Sequence, residues 1–270
     1  MCIRDRLYIA NLRVENTLTQ TIHSASTVHI TNSHITNLGT SPAITVQEDL
    51  YLDNTHVTQT DPSAPAIDAT ADVRISNSTI DSGSTALYHH NTGSEVSIVN
   101  SRLTAYPTDT DVTTYVLKFD NWVELKLANS TIVGNSSKAT ANYLVYAAEP
   151  FHDSTIEGNK FTGTLSVPSY GIYCTVTGYG YTDVIGNIFG SLQEGIHYMG
   201  NRVSIKDNLM KDVTTKYVID DTSSYCDEYV YTSLPSNTIV FKGRPILYYD
   251  GTNYYLAVWD GSTWRKVQLA

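Results

Sequence analysis

The chain has 270 residues and a formal net charge of −10, and only 16% of its residues are charged. Binding to nucleic-acid phosphates needs clustered Lys and Arg side chains, which this sequence lacks, so we expect no nucleic-acid partner. No apolar run approaches membrane-spanning length, and we expect no membrane partner either.

The first six residues, MCIRDR, do not fit the pattern that follows them. They resemble translated sequencing-adapter read-through, which occurs at the ends of many metagenomic reading frames. We therefore expect residues 1–6 to be a non-native artefact and the natural protein to start upstream. Any signal peptide or anchoring domain would then lie outside this sequence.

An asparagine recurs along the chain at spacings of 21, 22, 23, 23, 29, 30, 28 and 21 residues. The nine positions are Asn11, Asn32, Asn54, Asn77, Asn100, Asn129, Asn159, Asn187 and Asn208. Alternating apolar residues before the asparagine, as in VHITNSHI and VRISNSTI, predict a half-buried strand. The next apolar residue follows at an odd step, which a straight strand would place on the opposite face. The chain must therefore bend at the asparagine, a residue that tolerates left-handed backbone.

A small residue followed by an aliphatic one precedes most of these asparagines. The clear examples are Ala43-Ile44, Ala66-Ile67, Ala86-Leu87, Gly171-Ile172 and Gly195-Ile196. Each unit then holds three short strands separated by bends, and a period of this length indicates a solenoid. One unit cannot bury its inward row alone, so the units must stack through parallel strands about 4.8 Å apart.

This pattern resembles the right-handed parallel β-helix of the pectin-lyase-like superfamily, whose coils carry an asparagine ladder between the second and third strands. The resemblance covers about residues 7–235. It implies an all-β fold, a right-handed three-sheet parallel β-helix of about nine to ten coils. It is specific for the fold and leaves the function open.

Aligning the units on the small-aliphatic pair assigns an outward row that carries most of the reactive side chains. That row reads Thr45, Asp68, Tyr88, Lys118, Val145, Tyr173, His197 and Ile219, and a second row two residues later includes His90 and Asp120. In the superfamily that the chain resembles, this face is the floor of a polysaccharide groove. The resemblance implies substrate binding by Tyr88, His90, Lys118, Asp120, Tyr173 and His197. Longer turns at 105–114 and 148–154 are expected to flank the face.

Whether this face also catalyses a reaction stays open, with Tyr88, His90, Lys118 and Asp120 as catalytic candidates. Glycoside hydrolysis needs two carboxyl groups about 5 to 9.5 Å apart, whereas strand geometry places Asp68 and Asp120 about 12 Å apart. A lyase needs a base and a group that neutralises a uronate, roles that Lys118, Tyr88 and His90 could fill with calcium at Asp120. A single carboxylate is a poor calcium site, so we predict no metal or cofactor, with calcium only in the lyase alternative.

The composition changes near residue 236, where aromatic and aliphatic runs replace the repeat. Asp250-Gly251 and Asp260-Gly261 separate three of these runs, and Asp-Gly is a strong hairpin signal. We predict an antiparallel meander of about four strands over residues 236–270. It either caps the last coil, whose open end would expose the core and a strand edge, or forms a trimerisation module. The segment YLAVWDGSTW at 255–264 resembles hairpins near the ends of phage tail fibres and tail spikes.

These patterns and resemblances predict an extracellular or virion-associated protein that binds a surface polysaccharide. The C-terminal resemblance implies a fragment of a phage tail spike or tail fibre, trimeric through its aromatic end. Two alternatives stay open. One is a polysaccharide lyase or glycoside hydrolase of the same fold, acting on an acidic or neutral glycan along residues 88–197. The other is a purely structural β-helical stalk.

Overall fold

A computed structural model describes residues 6–16, 21–107, 113–135, 139–178, 180–200, 202–219, 224–226, 230–231, 234–235, 241 and 243–269. This part of the chain consists of strands and turns without an α-helix. Accordingly, no helix among these residues could cross a membrane. Residues 1–5 lie outside the described part, so the predicted artefact at 1–6 stays a prediction.

The chain winds through three faces per coil, and each face is a stack of parallel strands. The strands of the first face are Arg6–Ala10, Thr27–Thr31, Leu50–Asp53, Val73–Ser76, Ser94–Val99, Val123–Ala128, Ser154–Glu157, Thr182–Ile185, Val203–Lys206 and Tyr225–Cys226. Those of the second face are Arg13–Asn16, His34–Asn37, His56–Gln59, Thr79–Ser82, Arg102–Ala105, Thr131–Gly134 and Lys160–Thr162. Those of the third face are Ile22–Ser24, Ile44–Val46, Ile67–Ala69, Leu87–His89, Thr113–Phe119, Ala141–Ala147 and Ser169–Cys174. In the last two coils the strands Ile188–Tyr198 and Leu209–Ile219 run continuously from the second face to the third.

The interior of the solenoid is a column of stacked apolar side chains. Val73 pairs with Leu50 on one side and with Val96 on the other, so like residues lie above each other from coil to coil. One continuous core cluster extends from Ile22 to Cys226. Each coil alone would leave this row open to water, and stacking buries it. The predicted all-β parallel β-helix followed by a short meander is confirmed.

At the corner after each first-face strand, the structure differs from the sequence alignment of the nine asparagines. Six asparagines adopt left-handed φ angles of 46° to 55° there and are exposed: Asn11, Asn32, Asn54, Asn77, Asn100 and Asn129. In the next three coils the same backbone position is held by Gly158, Gly186 and Asp207, with φ angles of 63°, 62° and 56°. Asn159 and Asn187 are buried one residue later, as is Asn208. The nine asparagines therefore do not share one frame.

The ladder inside this corner is formed by the residue that follows the left-handed one. In five earlier coils that residue is Ser33, Thr55, Ser78, Ser101 or Ser130. The amide N–H of Ser101 donates to Ser130 Oγ at 3.1 Å, and that of Ser130 donates to Asn159 Oδ1 at 2.8 Å. Asn187 and Asn208 continue the chain of bonds. The ladder therefore satisfies buried amides that have no strand partner, first with hydroxyls and then with carboxamides.

The C-terminal region forms a small sheet that packs beside the last coil. Pro245–Tyr249, Tyr254–Trp259 and Trp264–Gln268 are antiparallel, and Val230–Tyr231 adds a parallel edge strand. Ile239 and Val240, part of the fourth predicted strand, lie outside the described residues. Arg244 joins this region to the solenoid, because its Nη1 donates to Ser204 Oγ at 2.7 Å. The predicted domain boundary at 235/236 stays a prediction.

Both Asp-Gly pairs of this region occupy tight turns, as the sequence indicates. Gly251 and Gly261 have φ angles of 96° and 105°, which glycine adopts at little cost. The Asp260 carboxylate accepts hydrogen bonds from the amides of Thr263 and Ser262 and from Arg265 Nε. These bonds hold the pKa of Asp260 well below its usual value, so the carboxylate stays ionised.

Candidate functional site

The third face presents one outward row that runs along the solenoid axis. The strand registers place Thr45, Asp68, Tyr88, Lys118, Tyr146, Tyr173, His197 and Val218 side by side, one from each coil. Four of the predicted residues, Tyr88, Lys118, Tyr173 and His197, therefore share one row. His90 and Asp120 lie in the adjacent row two residues later, as their backbone hydrogen bonds show.

The structure corrects the predicted row at two coils. Val145 is buried and pairs with Leu117, so Tyr146 holds the outward position that the alignment gave to Val145. In the last of these coils Val218, not the buried Ile219, is opposite His197. At Val145 the cause is that Leu144 and Val145 are both buried aliphatic residues, and the alignment matched Leu117 with Leu144 instead of Val145.

One end of the face is a network of charged and polar side chains. His90 Nε2 lies 2.9 Å from Asp68 Oδ1, and the Tyr88 hydroxyl donates to Asp120 Oδ2. Lys118 Nζ contacts Asp120 Oδ1 at 3.1 Å and lies 4.4 Å from the centre of the Tyr88 ring. The rings of Tyr88 and His90 stack at 5.0 Å. All four predicted catalytic candidates therefore contact one another directly or through one neighbour.

The Tyr88 phenol is a hydrogen-bond donor, not a base, in this network. Its bond to the Asp120 carboxylate, together with partial burial, raises the pKa of Tyr88 to about 12. A phenol with that pKa is almost fully protonated at neutral pH. Proton abstraction by Tyr88 is therefore disfavoured in this arrangement, which leaves Lys118 and His90 as the candidate bases of the lyase alternative.

The middle of the face is a cluster of tyrosines, most of which the sequence alignment missed. Tyr115, Tyr143 and Tyr170 form a stacked row with ring centres 5.4 and 4.8 Å apart. Tyr146 and Tyr173 lie beside it, and the Tyr143 ring meets theirs edge-on at 5.5 and 4.9 Å. The sequence does carry a signal for this cluster, since YLVY and YGIY each place two tyrosines around two consecutive core residues.

The hydroxyls of these five tyrosines remain available to a ligand. Within the described part of the chain they make no hydrogen bond, and none is among the buried unpaired atoms. Burial raises the pKa of Tyr143 most strongly, and it also raises the pKa of Tyr115, Tyr170 and Tyr173. The phenols are thus neutral donors and acceptors on a partly desolvated surface.

The far end of the face carries one further ionisable pair. Glu194 follows Tyr170 in its row, and His197 follows Tyr173. His197 Nδ1 lies 2.8 Å from Glu194 Oε2, and the His197 ring is 4.6 Å from that of Tyr173. The six predicted binding residues therefore line one surface. His197 lies four coils beyond Tyr88, and one coil between them carries no predicted residue in this row. Tyr146 supplies the missing coil between Lys118 and Tyr173.

Of the two predicted flanking turns, the second lies wholly within the described residues. Residues 108–112 of the first turn lie outside the described residues. The second turn contains His152, whose ring lies tilted against Trp122 with ring centres 4.5 Å apart, and Glu149, which accepts a hydrogen bond from the Trp122 amide. Asn121 ties this side to the face by donating to the His90 carbonyl at 2.9 Å.

The arrangement does not fit a calcium site. Asp120 already contacts Lys118 and the Tyr88 hydroxyl, and an ammonium group beside a carboxylate opposes cation binding. Among the residues described, no three His, Cys, Asp or Glu side chains gather in a way that could hold a metal ion. We therefore derive no step through calcium.

Comparison with known proteins found no match for the chain among protein-family models, curated proteins or solved structures.

Proposed function

We propose that the chain binds a polysaccharide along the outward rows of its third face. The observation that carries this proposal is the tyrosine cluster, five half-buried phenols with unoccupied hydroxyls arranged along the solenoid axis. Aromatic side chains with a polar edge offer large contact area at low entropic cost. Glycans present both apolar C–H surfaces and many hydroxyls, so they match such a surface.

The repeat of the fold supports an extended polymer as the ligand. Equivalent groups recur once per coil, about 4.8 Å apart, which is close to the length of one sugar unit in an extended chain. A polymer lying along the axis would meet the Asp68 and His90 end, then the tyrosines, then Glu194 and His197. Because the rows are part of a stacked sheet, little ordering is needed on binding.

The proposal includes a location and an assembly. An extracellular or virion-associated protein, resembling a phage tail spike or tail fibre, would use this face to contact a surface glycan. The supporting features are the β-helical fold, the resemblance to the pectin-lyase-like superfamily and the hairpin between Trp259 and Trp264, whose ring centres lie 5.8 Å apart. The C-terminal sheet would hold the chains together as a homotrimer.

The test is binding of the whole chain to a panel of surface polysaccharides, with a matched pair of variants. Tyr146→Ala removes a ring from the proposed face. Tyr51→Ala removes one from the first face, where Tyr51 stacks on His29 at 4.3 Å. We expect Tyr146→Ala to weaken binding about tenfold or more, as truncation of a buried aromatic contact does, and Tyr51→Ala to leave it unchanged. Equal loss in both variants, or no binding to any glycan, would overturn the proposal.

The same panel decides whether binding is followed by cleavage. New reducing ends would indicate hydrolysis, and the ultraviolet absorbance of an unsaturated uronate would indicate a lyase. Detection of either product would show that the protein is an enzyme and not only a binding protein. If Lys118→Ala then formed no cleavage product, the reaction would be located at the polar end of the face. If the chain binds a glycan and no cleavage product forms, the result supports binding alone.

A further inference from the structure

The proposed binding face carries more negative than positive charge. Its carboxylates are Asp68, Asp120 and Glu194, while Lys118 is the one residue of these rows with a permanent positive charge in the part of the chain described. Lys216 lies two coils beyond Tyr173 and outside the rows. The chain as a whole has a formal charge of −10. A polyanion approaching this surface is therefore repelled.

Lys118 is already neutralised by its surroundings. Its Nζ contacts Asp120 at 3.1 Å and lies over the rings of Tyr88 and Tyr115, at 4.4 and 5.5 Å from their centres. A uronate or sulfate that approached Lys118 would have to compete with Asp120 for the ammonium group. Displacement would also break the hydrogen bond from Tyr88 and leave the Asp120 carboxylate without its partners, which is costly.

The tyrosine cluster offers no cation to a charged sugar. Tyr143, at its centre, is surrounded by Tyr115, Tyr146, Tyr170 and Tyr173. The same burial that raises the pKa of the Tyr143 phenol would disfavour the ionised form of a carboxylate placed against it. Neutral hydroxyls of a sugar, in contrast, can exchange hydrogen bonds with the phenol hydroxyls at no electrostatic cost.

We propose that the ligand of this face is a neutral polysaccharide, bound through phenol hydroxyls and ring contacts, and that uronate-rich or sulfated glycans are rejected. This inference rests on the proposed function, because it names the substrate class of the same site. Acidic glycans are rejected because the described part of the face has no unpaired cation and because carboxylates flank the tyrosines at both ends.

The experiment compares polymers that share a backbone and differ in charge. Hydroxyethyl cellulose is paired with carboxymethyl cellulose, and dextran with dextran sulfate. Purified neutral and acidic bacterial surface polysaccharides complete the panel. Binding of the whole chain is measured by immobilising each polymer and following association at low and at physiological ionic strength. The variant Asp68→Asn is measured alongside, because it removes one carboxylate from the polar end.

We expect binding within the neutral group, with an affinity that changes less than about twofold between the two salt concentrations. Acidic polymers should bind at least about tenfold more weakly at low salt, and Asp68→Asn should narrow that gap. Preferential, salt-sensitive binding of acidic polymers would overturn the neutral class while leaving glycan binding intact. Binding to none of the polymers would instead overturn the proposed function, and this inference with it.

Discussion

The hydrogen bond between Tyr88 and Asp120 controls the ionisation of the polar end of the face. The acceptor carboxylate stabilises the protonated phenol, so the pKa of Tyr88 is raised to about 12. Replacing Asp120 with Asn removes the negative charge, and we expect the pKa of Tyr88 to fall toward the ordinary value of about 10. The measurement is a titration of ¹³Cζ-labelled tyrosine by NMR, with Tyr88→Phe to assign the signal.

Because the pKa of Tyr88 is raised in the folded protein, the stability of the fold depends on pH in an alkaline window. A group whose pKa is higher in the folded state stabilises the fold below its unfolded pKa and loses that contribution as pH rises through its folded pKa. For Tyr88 the window lies between about pH 10 and pH 12. Asp61→Asn, a change on an exposed loop, serves as the control. An unchanged Tyr88 titration in Asp120→Asn would contradict the hydrogen bond as the principal cause.

The left-handed corner is a second feature that depends on single residues. Asn77 has a φ angle of 50°, and its side chain donates to Asp53 Oδ1 at 3.0 Å on the exposed surface. Asn77→Ala keeps a Cβ but lacks the tolerance of asparagine for this conformation, so we expect a loss of about 1 kcal/mol in the free energy of unfolding. Urea unfolding followed by circular dichroism measures it.

Asn77→Gly is the matched control, because glycine adopts positive φ without strain and holds the equivalent position three and four coils later, as Gly158 and Gly186. Its stability should stay within about 0.5 kcal/mol of the original chain. If Ala and Gly destabilise equally, the side-chain contact with Asp53 matters more than the backbone conformation.

At the scale of the strand and its corners, the sequence predicted the period of the repeat and the existence of a bend. It did not separate the two adjacent corner positions, because asparagine suits both. Asn129 fits left-handed backbone, whereas Asn159 fits the buried ladder, where its amide reaches the Leu127 carbonyl at 2.7 Å. Only the interstrand register, Ala128 opposite Glu157, distinguishes them.

In the candidate site, too, the sequence alone did not assign every position correctly. Two consecutive core residues precede the outward residue in these coils, and the alignment matched Leu117 with Leu144, the first residue of its pair, instead of Val145. The outward residues Tyr88, Lys118 and Tyr173 could be found because their coils keep a clear small-aliphatic pair or fall in step with one. Tyr146 could not, because Leu144 and Val145 both suit the inward position until the strands are paired, and Tyr143 belongs to a row that precedes the aligned pair.

The buried ladder predicts a difference between its hydroxyl part and its carboxamide part. The Asn187 side chain is fully buried and makes four hydrogen bonds, two with Asn159 and one each with Ile156 and Asn208. Ser130 makes two, with the Ser101 amide and the Ala128 carbonyl. Removing more partners leaves more buried polar groups unpaired.

We therefore expect Asn187→Ala to lower the free energy of unfolding by about 2 to 4 kcal/mol and Ser130→Ala by about 1 to 2 kcal/mol. Urea midpoints and slopes for both variants give the comparison, provided that each unfolds in one transition. A Ser130→Ala loss equal to or above that of Asn187→Ala would argue that the number of ladder bonds does not set local stability.

At the scale of the whole molecule, the solenoid turns a one-dimensional repeat into a surface. Each coil contributes one or two side chains to the candidate face, so residues as distant in sequence as Asp68 and His197 lie along one line. The C-terminal sheet differs because its chain direction reverses at each hairpin. One side of it, which includes Ile246, Ala257 and Trp264, packs on Tyr225 and Phe241, and the other side is left with apolar residues at the surface.

That apolar side is where we expect the proposed homotrimer to form. Leu247, Leu256 and Val267 are cross-strand neighbours on it, and Leu256 and Val267 are 44% and 67% exposed. Apolar patches of this kind on a sheet are characteristic of protein interfaces. The double change Leu256→Glu and Val267→Glu places two carboxylates per chain in the proposed interface, and should convert a trimer into monomers.

Light scattering after size-exclusion chromatography measures the mass, and circular dichroism checks that the β-helix stays folded. Thr252→Glu adds a negative charge to the exposed turn of the same sheet and should leave the trimer intact. A monomeric original chain would refute the trimer at once. A trimer that persists in the double variant would place its interface elsewhere on the chain, because two buried carboxylates per chain could not be accommodated between these strands.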